Sequence, residues 1–347
     1  MNVLITGGTG FVGSHLCEKL HQRGHEVWVL DIEDNWIKEI AASTGRVTWF
    51  KGTVVDDDLV KGVLLNARPE EIVHLAGVSH TVSSALGQRS ALEPGVMGLA
   101  TIQDVIRQLC EPGRLSKLQE PPRISIASSS LCSGMFAADR QLKKGSGFVS
   151  GVANDASKID LNDCYHQYVD NKLMMEMLCH SNRYQFGQPF TIFRFGTLYG
   201  PRMNPNVVTW YFIRNALLKT PMIVHGDGKQ VRQHFYVEDL VDGIVKILEN
   251  RQKFLNKTVS IVPDHMSSVW DIAQAVTKAV PDARIECVQS RSIDVKVKQI
   301  AMPDDLVELG WRPRFSLEEG IAKTVEFYRN CMELVRGGAD ERIKETN

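Results

Sequence analysis

One stretch limits what this chain can fold into more than any other. Val3-Leu4-Ile5 runs into Thr6-Gly7-Gly8-Thr9-Gly10-Phe11-Val12-Gly13, a helical repeat follows from Ser14 to Arg23, and Val27-Trp28-Val29-Leu30-Asp31 closes the unit. The two apolar runs have the length and branching of buried strands, so the opening reads as βαβ. Such a unit implies a parallel sheet with helical crossovers. Gly7 suits the tight turn, Gly10 lets a pyrophosphate approach the backbone, and Gly13 lets the helix pack closely on the strand. The helix N-terminus offers unpaired N–H groups and a positive dipole end to a phosphate, and Phe11 and Val12, in the turn before Ser14, are expected at the cofactor. Asp31, at the end of the second strand, is placed to accept hydrogen bonds from an adenosine ribose. A carboxylate there repels the extra phosphate of NADP, and Ile32 and Glu33 supply no arginine to hold it, so NAD is the expected cofactor.

The 347 residues, 43% of them hydrophobic, suffice for one large domain or two unequal ones. A net charge of −1 favours neither nucleic acid nor an anionic membrane as main partner. Seven cysteines without a CxxC pair argue against a disulfide framework and a zinc site, and fit a reducing cytoplasm. With the first strand beginning at residue 2, no signal peptide is expected, and no apolar run approaches the roughly twenty residues of a membrane span.

Further along, a polar helical segment leads to a third strand, Val47–Phe50. Asp56-Asp57-Asp58 then reads as a helix cap in preference to a metal site. The fourth strand, Glu71–Gly77, ends in small residues (Ala76, Gly77) against which a cofactor can lie. His80 follows, near the strand end where ligands bind in such sheets. Gly98–Cys110 carries the helical repeat, strand Arg123–Ala127 ends in Ser128-Ser129-Ser130, and residues 134–151 read as a surface loop. Leu161 onward is helical again and puts Tyr168 and Lys172 four apart on one face. Strand Phe190–Phe195 enters a Gly/Pro-punctuated loop at 196–202. Helix Val208–Leu218, strand Met222–His225, an extended stretch over 230–235, helix 237–248, strand Thr258–Val262, helix Ser268–Ala279, the segment Arg291–Lys298 and the stretch Leu309–Pro313 complete the ordered part. Residues from Gly337 on read as a frayed polar tail.

Together, TGGTGFVG (6–13), HLAG (74–77), the serines at 128–130, YVDNK (168–172), RFGTLYGPR (194–202), GDGKQVRQHFYVED (226–239) and LGWRP (309–313) resemble the extended short-chain dehydrogenase/reductases of the NAD-dependent epimerase/dehydratase group. The resemblance implies an α/β fold, a Rossmann-type doubly wound parallel sheet with a smaller, mainly C-terminal substrate-binding domain. It assigns residues 1–200 to the NAD-binding domain, with 235–262 returning to it, and 201–234 with 263–336 to the substrate domain, leaving 337–347 as tail. It makes Tyr168, Lys172 and Ser129 the catalytic set, with Ser128 as the other candidate hydroxyl. Beside the glycines and Asp31 it places Ile32, Thr53, Val54, Leu75, Ala76, Gly77, Tyr168 and Lys172 at the cofactor. His80, Ser130, Thr197, Arg232 and Arg291 go to the substrate, a nucleotide sugar whose diphosphate the two arginines would hold by their planar forks. A homodimer through the helices near 98–110 and 161–178 is also implied.

The chemistry has a physical basis of its own. A tyrosine acting as base at neutral pH needs about 4 kcal/mol of help. An ammonium 4 Å away at an effective dielectric of about 20 supplies that much, a reason for Lys172 to sit one turn from Tyr168. Departures from the group narrow the reaction. Its 4,6-dehydratases carry an Asp-Glu pair where Ser130 and Leu131 stand, and its decarboxylases a Glu where Leu131 stands. Thr53, Gly95, Cys132, Ser133 and Thr197 also differ from common residues. The expectation is a nucleotide-sugar 4-epimerase, with a dehydratase or decarboxylase, a reductase of a non-sugar ketone, and a module that retains NAD without turnover as alternatives.

Overall fold

The computed structural model describes residues 1–45, 47–77, 88–110, 118, 120–134, 167–289 and 299–337. In chain order the elements are β1 (Asn2–Thr6), α1 (Phe11–Gln22), β2 (Glu26–Asp31), α2 (Ile37–Thr44), β3 (Thr48–Lys51), α3 (Asp57–Ala67) and β4 (Glu71–His74). Next come α4 (Gln88–Leu92), a π-helical turn (Glu93–Met97), α5 (Gly98–Cys110), β5 (Arg123–Ser129), a 3-10 turn (Ser130–Gly134), α6 (Gln167–Phe186) and β6 (Phe190–Phe195). The remainder is β7 (Thr197–Tyr199), α7 (Val208–Leu217), β8 (Met222–His225), β9 (Val231–Arg232), β10 (His234–Tyr236), α8 (Val237–Glu249), β11 (Lys257–Ile261), β12 (Ser267–Ser268), α9 (Val269–Ala279), β13 (Ile285–Val288), α10 (Asp304–Glu308), α11 (Leu317–Asn330) and α12 (Met332–Gly337).

The chain forms two compact units. Residues 1–195, 241–261 and 303–311 make the first. Its sheet is seven-stranded and parallel, in the order β11-β6-β5-β4-β1-β2-β3. The chain starts at β1, steps outward to β3, then returns to β4 and steps the other way. This reversal beside β1 makes the fold a doubly wound, Rossmann-type α/β sheet, whose ligand crevice opens at the carboxyl ends of the strands around the switch point. Helices cover both faces, which is why Val3, Leu4, Ile5, Ile72, Val73, Ile124 and Ile126 are all buried and the strands read as unbroken apolar runs. Leu99, Ile102, Val105, Ile106 and Leu109 are the buried stripe of α5, each side chain contributing about 1.5–3 kcal/mol.

At the other end of this sheet sits a buried ion pair. Glu71 and Arg123 open β4 and β5 and lie opposite each other in register. Arg123 Nε donates to Glu71 Oε2 at 2.6 Å, the Ser125 hydroxyl to Oε1 at 2.6 Å, and Arg123 Nη1 to the Arg251 carbonyl at 2.8 Å. Burial pushes the Glu71 carboxyl up, although Arg123 and Ser125 pull it down.

The second unit comprises 196–240, 262–302 and the chain from Arg312 onward. It holds three two-stranded sheets, β10-β7, β12-β9 and β13-β8. Capping boxes start α9 (Ser268 with Asp271) and α11 (Ser316 with Glu319). The buried Asp239 carboxylate accepts the backbone N–H groups of Arg314 and Phe315 at 3.0 and 3.2 Å.

Three features depart from the sequence reading. Residues 197–199, expected in a loop, form β7, because Gly196 lies where a Cβ would come within 2.5 Å of the Gln233 carbonyl and so lets the strand pair with β10. Helices α11 and α12 continue the ordered chain past Pro313. The unit boundaries also move: 196–200 and 235–240 belong to the second unit and 303–311 to the first. There Lys246 Nζ donates to the Leu309 carbonyl at 2.8 Å and Lys253 pairs with Glu308 at 2.7 Å. Asp56 caps α3 as expected, accepting from Leu59 N at 3.0 Å.

Candidate active site

The glycine turn sits at the switch point. Gly7 has φ +71°, and a Cβ there would lie 2.7 Å from Ala76 N, so the turn after β1 and the segment after β4 touch backbone to backbone. A Cβ on Gly13 would lie 2.2 Å from the Gly7 carbonyl, while one on Gly10 would meet nothing nearer than that same oxygen at 3.3 Å. The first and third glycines are thus needed by packing, and the second leaves room over the turn. Gly10 caps α1 without a side-chain hydrogen bond, leaving the first N–H groups of Phe11, Val12 and Gly13 to a ligand. At the end of β2, Asp31 Oδ2 accepts from Thr9 N at 3.0 Å and Thr9 Oγ1 at 2.9 Å, and Oδ1 from Glu33 N at 3.3 Å. Thr9 is a contributor that the glycine pattern does not disclose. Ile32 is exposed beside it. Thr53 accepts from Val55 N, and the Val54 side chain belongs to the core, where it lies beneath Gly98. Leu75 N donates to the Thr6 carbonyl at 3.0 Å.

The same end of the sheet carries the Tyr–Lys pair. Tyr168 and Lys172 share a face of α6, and the Lys172 ammonium lies 5.7 Å from the tyrosine ring centroid. It donates to the Ala127 carbonyl of β5 at 2.8 Å, and a Cβ on Gly77 would lie 3.9 Å from it. The Ser129 hydroxyl accepts Leu131 N at 3.2 Å and lies close enough to the Tyr168 phenol to lower its pKa. Ser128 points elsewhere: its hydroxyl donates to Glu176. Ser130 begins the 3-10 turn, half-buried. Burial pushes the Tyr168 phenol up to about 12, against the Ser129 hydrogen bond that lowers it, and burial brings Lys172 down to about 8. This corrects the sequence-based account of the base. Lys172 lies over the ring and bonds Ala127, so in the protein alone it does not give the phenol the acidity that a cation 4 Å from its oxygen would.

His74, the first residue of HLAG, is buried between Thr6 Oγ1 (2.7 Å to Nδ1) and the Gly95 carbonyl of the π-helical turn (3.0 Å to Nε2). Burial lowers it to about 4, so at neutral pH it is an uncharged strut.

In the second unit, Thr197 N donates to the Gln233 carbonyl at 3.0 Å. Arg232 pairs with Ser267 across β9 and β12, and its Nη1 reaches the Val231 carbonyl at 2.8 Å. His80 and Arg291 lie outside the described residues, as does the expected loop beyond Gly134. Among the described residues no group of three or more His, Cys, Asp or Glu side chains could hold a metal, and no helix is long and apolar enough to cross a membrane.

A glycine turn at a switch point, an acid closing β2 and a Tyr–Lys–Ser cluster at the same strand ends define a dinucleotide-dependent enzyme of the short-chain dehydrogenase/reductase type. Residues 3–261 match the NAD dependent epimerase/dehydratase family, and the chain belongs to it, with NAD as cofactor. The glycine cradle fits that group, since among the described residues no side chain comes within 4 Å of a Cβ placed on Gly10.

Curated relatives include UDP-glucuronic acid decarboxylase 1 of Arabidopsis thaliana, 27% identical over 338 residues that cover 95% of this chain and 70% of that one. The probable UDP-glucuronate 4-epimerase of Rhizobium meliloti is 25% identical over 354 residues, covering 94% and 97%. Among solved structures, UDP-glucose 4-epimerase of Thermotoga maritima with UDP-glucose superposes with a TM-score of 0.77 at 23% identity, over 96% of this chain and 100% of that one. The relatives are thus nucleotide-sugar epimerases, decarboxylases and dehydratases.

Proposed function

We propose that the chain is a nucleotide-sugar 4-epimerase working through a transient 4-ketone. The observation that carries this reading is the wall beside Tyr168. By the resemblance, Leu131 stands where the dehydratases and decarboxylases of the family carry an acid, and it packs against the cluster of Cys132, Val169 and Leu173, as Tyr168 does. The Glu176 carboxylate, one turn beyond Lys172 on α6, is taken up by Arg194 and Ser128. A hydroxyl-and-phenol site can move one proton at one oxygen, which is all that epimerisation asks of the protein.

In this reading Tyr168 takes the proton from the sugar 4-hydroxyl and later returns it, while Ser129 hydrogen-bonds the same oxygen. Bound NAD supplies the hydride acceptor and a positively charged ring that offsets the high phenol pKa. Gly7, Gly10, Phe11, Val12, Gly13, Asp31, Ala76, Gly77 and Lys172 would hold it, and Thr197, Ser130 and Arg232 would serve the substrate. A homodimer through α5 and α6 belongs to the same proposal, consistent with Met174 and Met177 standing exposed along α6.

The test is incubation with UDP-glucose, UDP-glucuronic acid and other UDP-, dTDP-, GDP- and CDP-sugars, read by product mass and proton NMR. A product of unchanged mass with an inverted C4 supports the proposal. Loss of carbon dioxide or water assigns the chain to the lyases of its family. Arg232→Ala is expected to raise KM about tenfold or more while kcat stays within about twofold, as loss of a charge-assisted ground-state contact does.

A further inference from the structure

Glu176 lies one helical turn beyond Lys172 and two beyond Tyr168 on the same face of α6, and only 2% of it is exposed. Arg194 of β6 grips it with two bonds, Nε to Oε1 at 2.8 Å and Nη2 to Oε2 at 2.6 Å. The Ser128 hydroxyl of β5 donates to the same Oε1. Arg194 Nη1 reaches on to Ser133 Oγ of the 3-10 turn at 3.5 Å. One carboxylate therefore ties together α6, β5, β6 and the turn after β5. Two of those elements carry the proposed catalytic set: Ser129 follows Ser128 directly, and Tyr168 and Lys172 precede Glu176 on α6.

We propose that Glu176 is a positioning residue, which with Arg194 and Ser128 holds Ser129, Tyr168 and Lys172 in register and keeps Lys172 charged. The inference deepens the epimerase reading and rests on it for the roles of those three residues.

A buried carboxylate bound this fully is more than the fold needs. Pairs of this kind are often replaceable by apolar side chains of similar volume with little loss of stability. Here the location gives the charge a task. The groups that face Lys172 are Tyr168 and Glu176 on α6, Cys132 on the 3-10 turn and His74 on β4, with Arg194 of β6 behind Glu176. At neutral pH His74 is uncharged and burial, which pushes the Cys132 thiol up to about 12, keeps that thiol protonated, whereas Glu176 sits in an ion pair with Arg194. Burial lowers Lys172, and Cys132 and then Glu176 raise it; with the thiol protonated, Glu176 in its ion pair is the partner left to oppose the burial. Removing that charge lowers Lys172 further, so the ammonium is lost at a lower pH than in the parent chain.

Glu176→Gln alone strands Arg194, so the informative variant is Glu176→Gln with Arg194→Met. Its Lys172 titration is followed by NMR of the ¹³C-lysine-labelled full chain, with the resonance assigned by comparison with Lys172→Met. Turnover is measured in parallel with UDP-glucuronic acid. The expected result is a folded protein whose Lys172 titrates about half a pH unit or more lower. Its kcat is expected to fall about tenfold, with KM within about twofold. An unmoved titration or an unmoved kcat overturns the proposal, even if the melting temperature has dropped. If the double variant does not fold, Ser128→Ala decides: it keeps both charges and loses one tether, so kcat is expected to fall about threefold with the Lys172 titration unmoved, and unchanged kcat overturns the proposal. Tyr168→Phe separates the two readings. Wild-type turnover in that variant removes the epimerase mechanism, while the Lys172 titration still reports on Glu176.

Discussion

Tyr168→Phe is expected to lower turnover by about two to four orders of magnitude while leaving NAD bound, the range lost when a positioned acid–base group is removed. The ring stays, so the packing of Leu131, Cys132, Val169 and Leu173 around it is kept. What goes is the phenol oxygen whose pKa Ser129 lowers. The pH profile of the parent enzyme carries the companion expectation. Burial lowers Lys172 to about 8 and raises Tyr168 to about 12, so as pH rises from 7 to 9 the protein alone loses the lysine proton before the tyrosine proton. Activity that depends on a charged Lys172 is therefore expected to fall on the alkaline side, through a group titrating near 8. Full activity in the Phe variant, read by proton NMR of the sugar, would take Tyr168 out of the chemistry.

Arg123→Ala is expected to destabilise the chain by about 3–5 kcal/mol, the usual cost of leaving one member of a buried ion pair without the other. Glu71 would keep Ser125 as donor but lose its counter-charge and the link to the Arg251 carbonyl. The sign of the pH dependence follows from the raised Glu71 carboxyl. A carboxyl whose folded pKa lies above its unfolded value binds a proton more readily when folded, so it favours the folded state below the unfolded pKa and loses that contribution as pH rises through the folded one. Without Arg123 the folded pKa rises further. The deficit measured by urea unfolding should therefore be smaller at pH 5 than at pH 8. An equal deficit at both would show that Glu71 is not the group left exposed to the loss.

Much of this was legible in order along the chain. The βαβ opening, the glycine spacing, Asp31 and the i, i+4 pair on α6 are local patterns, and local patterns survive translation into structure. The strands that end ahead of Ala76 and at Ser129 could be placed because parallel strands, buried on both faces, announce themselves as apolar runs. Helix α11 was within reach as well, since Ser316-Leu317-Glu318-Glu319 carries the capping-box spacing just ahead of an apolar repeat. Strand β7 was harder, for three residues between Gly196 and Gly200 say nothing until His234–Tyr236 pairs with them. Least legible were contacts between distant residues of modest type. Nothing near Ser128 points to Glu176 forty-eight positions on, and nothing near Thr9 points to Asp31. The sense of the Tyr168 and Lys172 shifts was hidden for the same reason, because spacing along a helix reveals proximity but not how deeply a side chain is buried or which carbonyl it finds first.

The bonds from Asp31 to Thr9 carry a consequence for how this scaffold can change. The acid suited to a ribose also fastens the phosphate turn from within, so cofactor preference and loop stiffness reside in one side chain. Replacing it to admit a phosphorylated ribose would unfasten residue 9 at the same stroke. A switch of dinucleotide in this lineage would thus demand a paired exchange at positions 9 and 31, the first step of which loosens the turn before the second repairs it.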